Sequence, residues 1–157
     1  MSARWGYGGW EETMGAPTFT NDEMLEQAKG NASAITLITV AYLKQTGASA
    51  TDWTRFASAA LAPTWRVAAD FDASQLAHIW ALNFASTGGA VQSLQGDAQR
   101  AELVVSDWPS GDVLAALGLT REDADPLLEI VPLLMGSVGA TGSCERAGDT
   151  LHIVITR

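Results

Sequence analysis

The sequence predicts an α+β domain in which helices pack on one face of an antiparallel sheet made from two hairpins. Apolar residues recur at helical spacing in the first half of the 157-residue chain, and Gly88-Gly89 ends that pattern. Two β-type runs then flank Gly96-Asp97, and two more flank Gly148-Asp149. Two such hairpins can merge into one antiparallel sheet with helices on one side.

Capping signals and apolar stripes predict three helices before the first hairpin. Thr20 with Glu23, and Asp72 with Gln75, have the spacing of a capping box. The second helix starts at "SATD" and is limited by Pro63. The stripes expected to face the core are Met24, Ala28, Ile35, Ile38 and Tyr42 in the first helix, Trp53, Phe56, Ala57, Ala60 and Leu61 in the second, and Leu76, Ile79, Trp80 and Phe84 in the third.

The second half of the chain predicts two short helices between the hairpins. "SGDVLAALG" follows the first hairpin, with Ser110 at the expected N-cap. "TREDADPLLEIVPLLMG" is the next helix, which Pro132 should kink or break because proline has no N–H to donate. The last strand is expected over residues 151–156. Its alternation places Leu151, Ile153 and Ile155 on the core face and His152 on the other.

The composition divides the chain into an arm, residues 1–19, and one domain, residues 20–157. "RWGYGGW" in the arm has no periodicity and too much backbone freedom for a regular element. It is either a flexible terminus or a segment that docks on its own domain or a neighbouring subunit. Docking would bury its tryptophans, which are costly to expose to water.

Charge and composition restrict the partners. Eighteen acidic residues against nine basic ones give a net charge of −9, which repels nucleic acid and anionic membrane surfaces. The most apolar run, "ASAITLITVAYL", is too short to span a bilayer, and the first residues lack the apolar core of a signal peptide. We therefore expect a cytoplasmic protein without a membrane partner. A homodimer is the expected assembly, because symmetric dimers are the commonest.

Motifs for catalysis are absent from the sequence. It contains no glycine-rich phosphate loop, no HExxH and no GxSxG, so it assigns neither a cofactor nor a catalytic residue. Two histidines without further ligands do not predict a metal site. One alternative is a hydrolase or lyase that uses Asp107 with His78 or His152 as acid and base. Cys144 shares a strand face with Arg146, but a buried free cysteine is more often a small hydrophobic residue than a nucleophile.

Large aromatic residues are the strongest functional signal. They either fill the core or line an apolar cavity with a few polar contacts, which is the usual composition of a small-molecule site. The leading hypothesis is a non-catalytic domain that binds an apolar or aromatic small molecule, with assembly through the arm as a further alternative. The predicted ligand-binding residues are Trp53, Trp65, His78, Trp80, Phe84 and Trp108.

Residues 88–156 resemble a family of ligand-binding domains. "AELVVSDWPSGDVLAALGL", an apolar helix and "CERAGDTLHIVI" follow the order of elements in vinyl-reductase-type and aminothiazoline-carboxylate-hydrolase-like domains. The resemblance implies a small apolar or aromatic ligand held between helices and sheet. Trp108 stands where the hydrolase-like pattern has cysteine, and no cysteine follows Gly148-Asp149. The resemblance therefore implies neither thiol chemistry nor a metal.

Overall fold

The computed structural model describes residues 19–157, so the predicted arm, apart from Phe19, lies outside the described residues. Six α-helices and four strands form the described part of the chain, with short 3₁₀ segments at Arg66–Ala68 and Asp125–Glu129. The helices are α1 (Asn21–Thr46), α2 (Ala50–Trp65), α3 (Ala73–Ser86), α4 (Gly111–Ala116), α5 (Arg121–Ala124) and α6 (Ile130–Ser137). The strands are β1 (Ala90–Gly96), β2 (Arg100–Ser106), β3 (Thr141–Ala147) and β4 (Thr150–Thr156).

The four strands form one antiparallel sheet in the order β1-β2-β4-β3, which confirms the predicted α+β class. The β1–β2 and β3–β4 hairpins join along β2 and β4, where Leu103 pairs with Ile153. Helices α3 and α6 contact the sheet, and alternate residues of β2 and β4 are buried beneath the helices. The predicted alternation of β4 is confirmed, since Leu151, Ile153 and Ile155 are buried while His152 is exposed.

The capping signals place the helix starts correctly. Capping boxes form at Thr20 with Glu23 and at Asp72 with Gln75, because each N-cap side chain accepts from the N3 amide and the N3 side chain reaches back. A third capping box forms at Thr120, before α5. Ser110 precedes α4 as predicted, but its side chain makes no capping hydrogen bond.

The predicted core face of α1 is wrong, and that of α2 is only partly correct, since Trp53 packs against the core as predicted. In α1, Ile35, Ile38 and Tyr42 are exposed, and the buried residues lie on the opposite side of the helix at Ser33, Leu37, Val40 and Leu43. In α2, Phe56 is 73% exposed, whereas the small polar residues Thr54 and Ser58 are buried. Both helices carry apolar residues around most of their circumference, so periodicity alone does not select the buried side. The predicted stripe of α3 is correct, with Leu76, Trp80 and Phe84 buried.

Two prolines affect their helices differently from the prediction. Helix α2 continues through Pro63 to Trp65. The break expected near Pro132 occurs earlier, because the 3₁₀ segment Asp125–Glu129 separates α5 from α6, and Pro132 is accommodated in the first turn of α6.

Arg157, which directly follows β4, ties the end of that strand to the helical layer. The Arg157 guanidinium donates to the carbonyl oxygens of Phe71 (2.7 Å), Val138 (2.7 Å), Ala68 (3.2 Å) and Ala69 (2.5 Å). Of the described helices, none is long and apolar enough to cross a membrane.

Candidate functional site

An apolar cleft of about 370 Å³ lies among helices α1, α2, α3 and α6 and the β2–α4 junction. This volume is in the range of small-molecule sites. Its lining combines four indoles and a phenyl ring with aliphatic residues and a few hydroxyl and amide groups. The lining residues are Thr36, Trp53, Thr54, Leu61, Trp65, Trp80, Asn83, Phe84, Ser86, Thr87, Trp108, Leu127, Leu128, Ile130 and Leu134.

Four of the rings form a continuous row along the cleft. Trp65 of α2 stacks on Trp80 of α3, with centroids 5.1 Å apart and planes at 30°. Trp80 is followed by Phe84 at 6.0 Å, one helical turn along α3. Phe84 meets Trp108, after β2, edge to face at 5.2 Å and 86°. Three separate segments therefore present one aromatic wall.

The structure brings five of the six predicted site residues together. Trp53, Trp65, Trp80, Phe84 and Trp108 all line the cleft. His78 does not line it, because position 78 lies on the exposed side of α3, away from Leu76, Ala77 and Trp80, which are buried. The lining residues Leu127, Leu128, Ile130 and Leu134 were not predicted, because the sequence identifies them only as part of an apolar helix.

All four hydroxyl groups of the described lining already donate to backbone carbonyls. Thr36 donates to Ala32, and Thr54 donates to Ala50, each at 2.9 Å. Ser86 and Thr87 donate to the carbonyl of Asn83 at 2.8 and 3.0 Å. These hydrogen bonds lie within helices, so the hydroxyl protons are occupied and the cleft presents few free donors to a ligand.

The two buried indole N–H groups of the cleft differ. Trp108 Nε1 donates to Thr87 Oγ1 at 3.0 Å. Trp80 Nε1 is buried and finds no acceptor among the described residues. A buried donor without an acceptor costs about 1–3 kcal/mol, so the Trp80 N–H is an exception that calls for an explanation.

Among residues 19–157, no charged side chain lines the cleft. The acidic surface of the protein therefore does not extend into it. Transfer of an ionised ligand into such an environment is strongly unfavourable without a partner of opposite charge. The cleft thus favours neutral over ionised compounds.

Arg146 holds the aromatic wall in place from the sheet side. Its Nε donates to Asp125 Oδ1 at 2.6 Å, and its Nη1 donates to the carbonyl oxygen of Trp108 at 3.0 Å. The side chain is 12% exposed. It links β3, the 3₁₀ segment before α6 and the β2–α4 junction, so it is a positioning residue for Trp108. The sequence pairs Arg146 with Cys144 on one strand face but gives no signal for Asp125 or Trp108 as its partners.

The alternative function, a hydrolase or lyase, would use Asp107 with His78 or His152. All three residues lie outside the cleft. Asp107 follows β2 with a φ of 56°, a left-handed conformation in which aspartate is enriched, and its side chain is exposed. His78 is exposed on α3, and His152 is exposed on β4, where it pairs with Val104 and Glu145. None of these three residues lines the cleft.

Cys144 is not arranged as a nucleophile. Burial raises the pKa of its thiol from the ordinary value of 9.0 to about 12, and the lowering influence of Arg146 is outweighed. The reactive thiolate is therefore scarce near neutral pH. Within residues 19–157, no group of three or more His, Cys, Asp or Glu side chains is arranged to hold a metal ion.

Comparison of the chain with protein-family models gives no match, and comparison with curated proteins gives no significant match.

Proposed function

We propose that the protein binds a small, neutral, aromatic or apolar molecule in the cleft and performs no catalysis there. The observation that carries the proposal is the row of rings from Trp65 to Trp108 beside a cavity of ligand size, whose lining among residues 19–157 carries no charge. The resemblance of residues 88–156 to small-molecule-binding domains supports the same proposal.

The unpaired indole N–H narrows the ligand class. Trp80 Nε1 lacks an acceptor among the described residues, and the Asn83 amide is exposed on the same helix. A planar ligand with a carbonyl oxygen or ring nitrogen would satisfy the buried donor and remove the cost of leaving it unpaired. Because this N–H is closed to solvent, we expect the half-buried Trp65 ring, which stacks on Trp80, to shift as the ligand enters.

Thermal unfolding with a small panel of bicyclic probes tests the proposal. Quinoline, which is neutral and bears a ring nitrogen, and naphthalene, which has no acceptor, should both raise Tm, with quinoline more effective per bound molecule. The anion 1-naphthoate should have little effect, because the described lining offers no cation. Binding to the native state stabilises it by mass action, so the rise in Tm should grow with probe concentration.

Two aromatic residues of α2 provide a matched pair of variants. Trp65 lines the cleft, whereas Phe56 is 73% exposed outside it. W65A should abolish the probe-dependent rise in Tm, and F56A should retain it. A panel without effect on the wild-type protein, or an equal loss in both variants, would overturn the proposal.

A further inference from the structure

The exposed side of α1 carries a second apolar stripe with coiled-coil spacing. Steps of four and three residues alternate along it, which is the spacing of a and d positions over nearly three heptads. The stripe lies opposite the buried residues Leu37 and Val40, so the domain does not use it for its own core. We define the α1 seam as Met24, Ala28, Asn31, Ile35, Ile38 and Tyr42.

We propose that the α1 seam is the surface through which two copies of this chain associate. The first half of α1 has little support within its own domain, since every residue from Asn21 to Asn31 except Lys29 is exposed. A helix without tertiary support is marginal in water, and burial of the seam against a second helix would supply that support.

The central part of the α1 seam lacks the charges that would keep two copies of the chain apart. Two chains of net charge −9 repel one another, so they can meet closely only through an uncharged surface. From Gly30 to Leu43 the sequence contains no Asp, Glu, Lys or Arg. The positions that flank the seam, among them Ala34 and Ala41, are mostly small, which allows two helices to approach closely.

The area of the seam also fits a dimer interface. Met24, Ile35, Ile38 and Tyr42 are between 51% and 67% exposed. Side chains of this size leave roughly 500 Å² of apolar surface, near the upper end of the largest patch on a typical monomer. The small and polar flanking residues would extend the contact toward the roughly 800 Å² per partner of a standard interface.

Asn31 is the polar position within the α1 seam. Its Oδ1 already accepts a hydrogen bond from Gln27 Nε2 at 2.9 Å, so burial of the seam against a second helix would not leave this oxygen without a donor.

Sedimentation equilibrium of the full chain at micromolar concentration tests the proposal. The wild-type protein should have the mass of two chains. I35E/I38E places charges in the seam at positions that are exposed in one domain, so it should keep its circular dichroism spectrum but weaken association at least 100-fold. V67E introduces a charge at a residue that is 81% exposed outside the seam and should remain a dimer.

Two outcomes would overturn the proposal. One is a double variant that keeps the mass of two chains. The other is a wild-type protein with the mass of one chain. If that single chain loses thermal stability when residues 1–18 are deleted, the occupant of the seam is that segment of the same chain instead of a second copy.

Discussion

The two buried indoles of the cleft are chemically identical, but they differ in whether the N–H group has a hydrogen-bond acceptor. Trp108 donates to Thr87, whereas Trp80 has no acceptor among the described residues. At the scale of single residues, this difference separates an indole whose N–H contributes a hydrogen bond to the fold from one whose N–H does not.

Phenylalanine substitutions at these two positions should have unequal effects on stability. Both remove similar volume, but W108F also removes a hydrogen bond and leaves Thr87 without its donor, whereas W80F removes an unsatisfied donor. We expect W108F to lower the free energy of unfolding by about 1 kcal/mol more than W80F, as measured by urea denaturation. Equal losses, or a larger loss for W80F, would contradict the assignment.

The raised pKa of the Cys144 thiol predicts slow labelling by thiol reagents and a loss of stability at alkaline pH. Because burial keeps the thiol protonated, a thiol reagent should label the native protein slowly at pH 8 and label it at once in urea.

Between pH 9.0 and about 12, the native state retains a proton that the unfolded chain loses. Stability should therefore fall as the pH rises above 9. C144A should show a smaller fall over this range; an identical pH profile would contradict the prediction.

At the scale of elements, the sequence predicts those parts whose signals are local. The hairpins follow from alternation and glycine turns, and the starts of α1 and α3 follow from capping boxes that form as expected. The buried sides of α1 and α2 depend on tertiary packing. Ile35 and Phe56 are as apolar as Leu37 and Trp53, so no local signal identifies which pair meets the core.

Polar contacts between residues far apart in the chain could not be predicted from the sequence either. Arg146 reaches an acid 21 residues away and a carbonyl 38 residues away. The aromatic members of the cleft could be predicted from residue type alone, because tryptophans and phenylalanines are conspicuous. Their arrangement in a row, the exposure of His78 and the contribution of Leu127 and Leu134 required the fold.

The hydrogen bonds of Arg146 with Asp125 and the Trp108 carbonyl should contribute far more to the free energy of unfolding than an exposed ion pair does. R146M breaks the contacts with Asp125 and the Trp108 carbonyl, and we expect it to lower the free energy of unfolding by about 2–3 kcal/mol. R55M is the control, because Arg55 is 63% exposed and lies 3.8 Å from Asp52 and 3.9 Å from Glu129; its loss should be under about 0.5 kcal/mol. Urea denaturation of both variants measures the difference, and similar losses would contradict the bridging role.

At the scale of the whole molecule, the sheet and its helices leave two apolar surfaces with different shapes. The cleft is concave, aromatic and suited to a small molecule, while the α1 seam is a narrow stripe suited to another helix. The two surfaces lie on different sides of α1, since Thr36 lines the cleft and Ile35 lies in the seam. Ligand binding and association can therefore be tested separately, with W65A for one and I35E/I38E for the other.

Nuclear magnetic resonance of the indole N–H groups tests the binding site most directly. The protein has six tryptophans, and W80F and W108F identify two of their six indole signals. Saturation with quinoline should move the Trp80 N–H proton downfield, as expected when it gains an acceptor, and naphthalene should not. The Trp108 signal should move less, because its N–H is already bonded to Thr87. If quinoline and naphthalene leave the identified signals of Trp80 and Trp108 both unchanged, the cleft is not a binding site for this class of molecule.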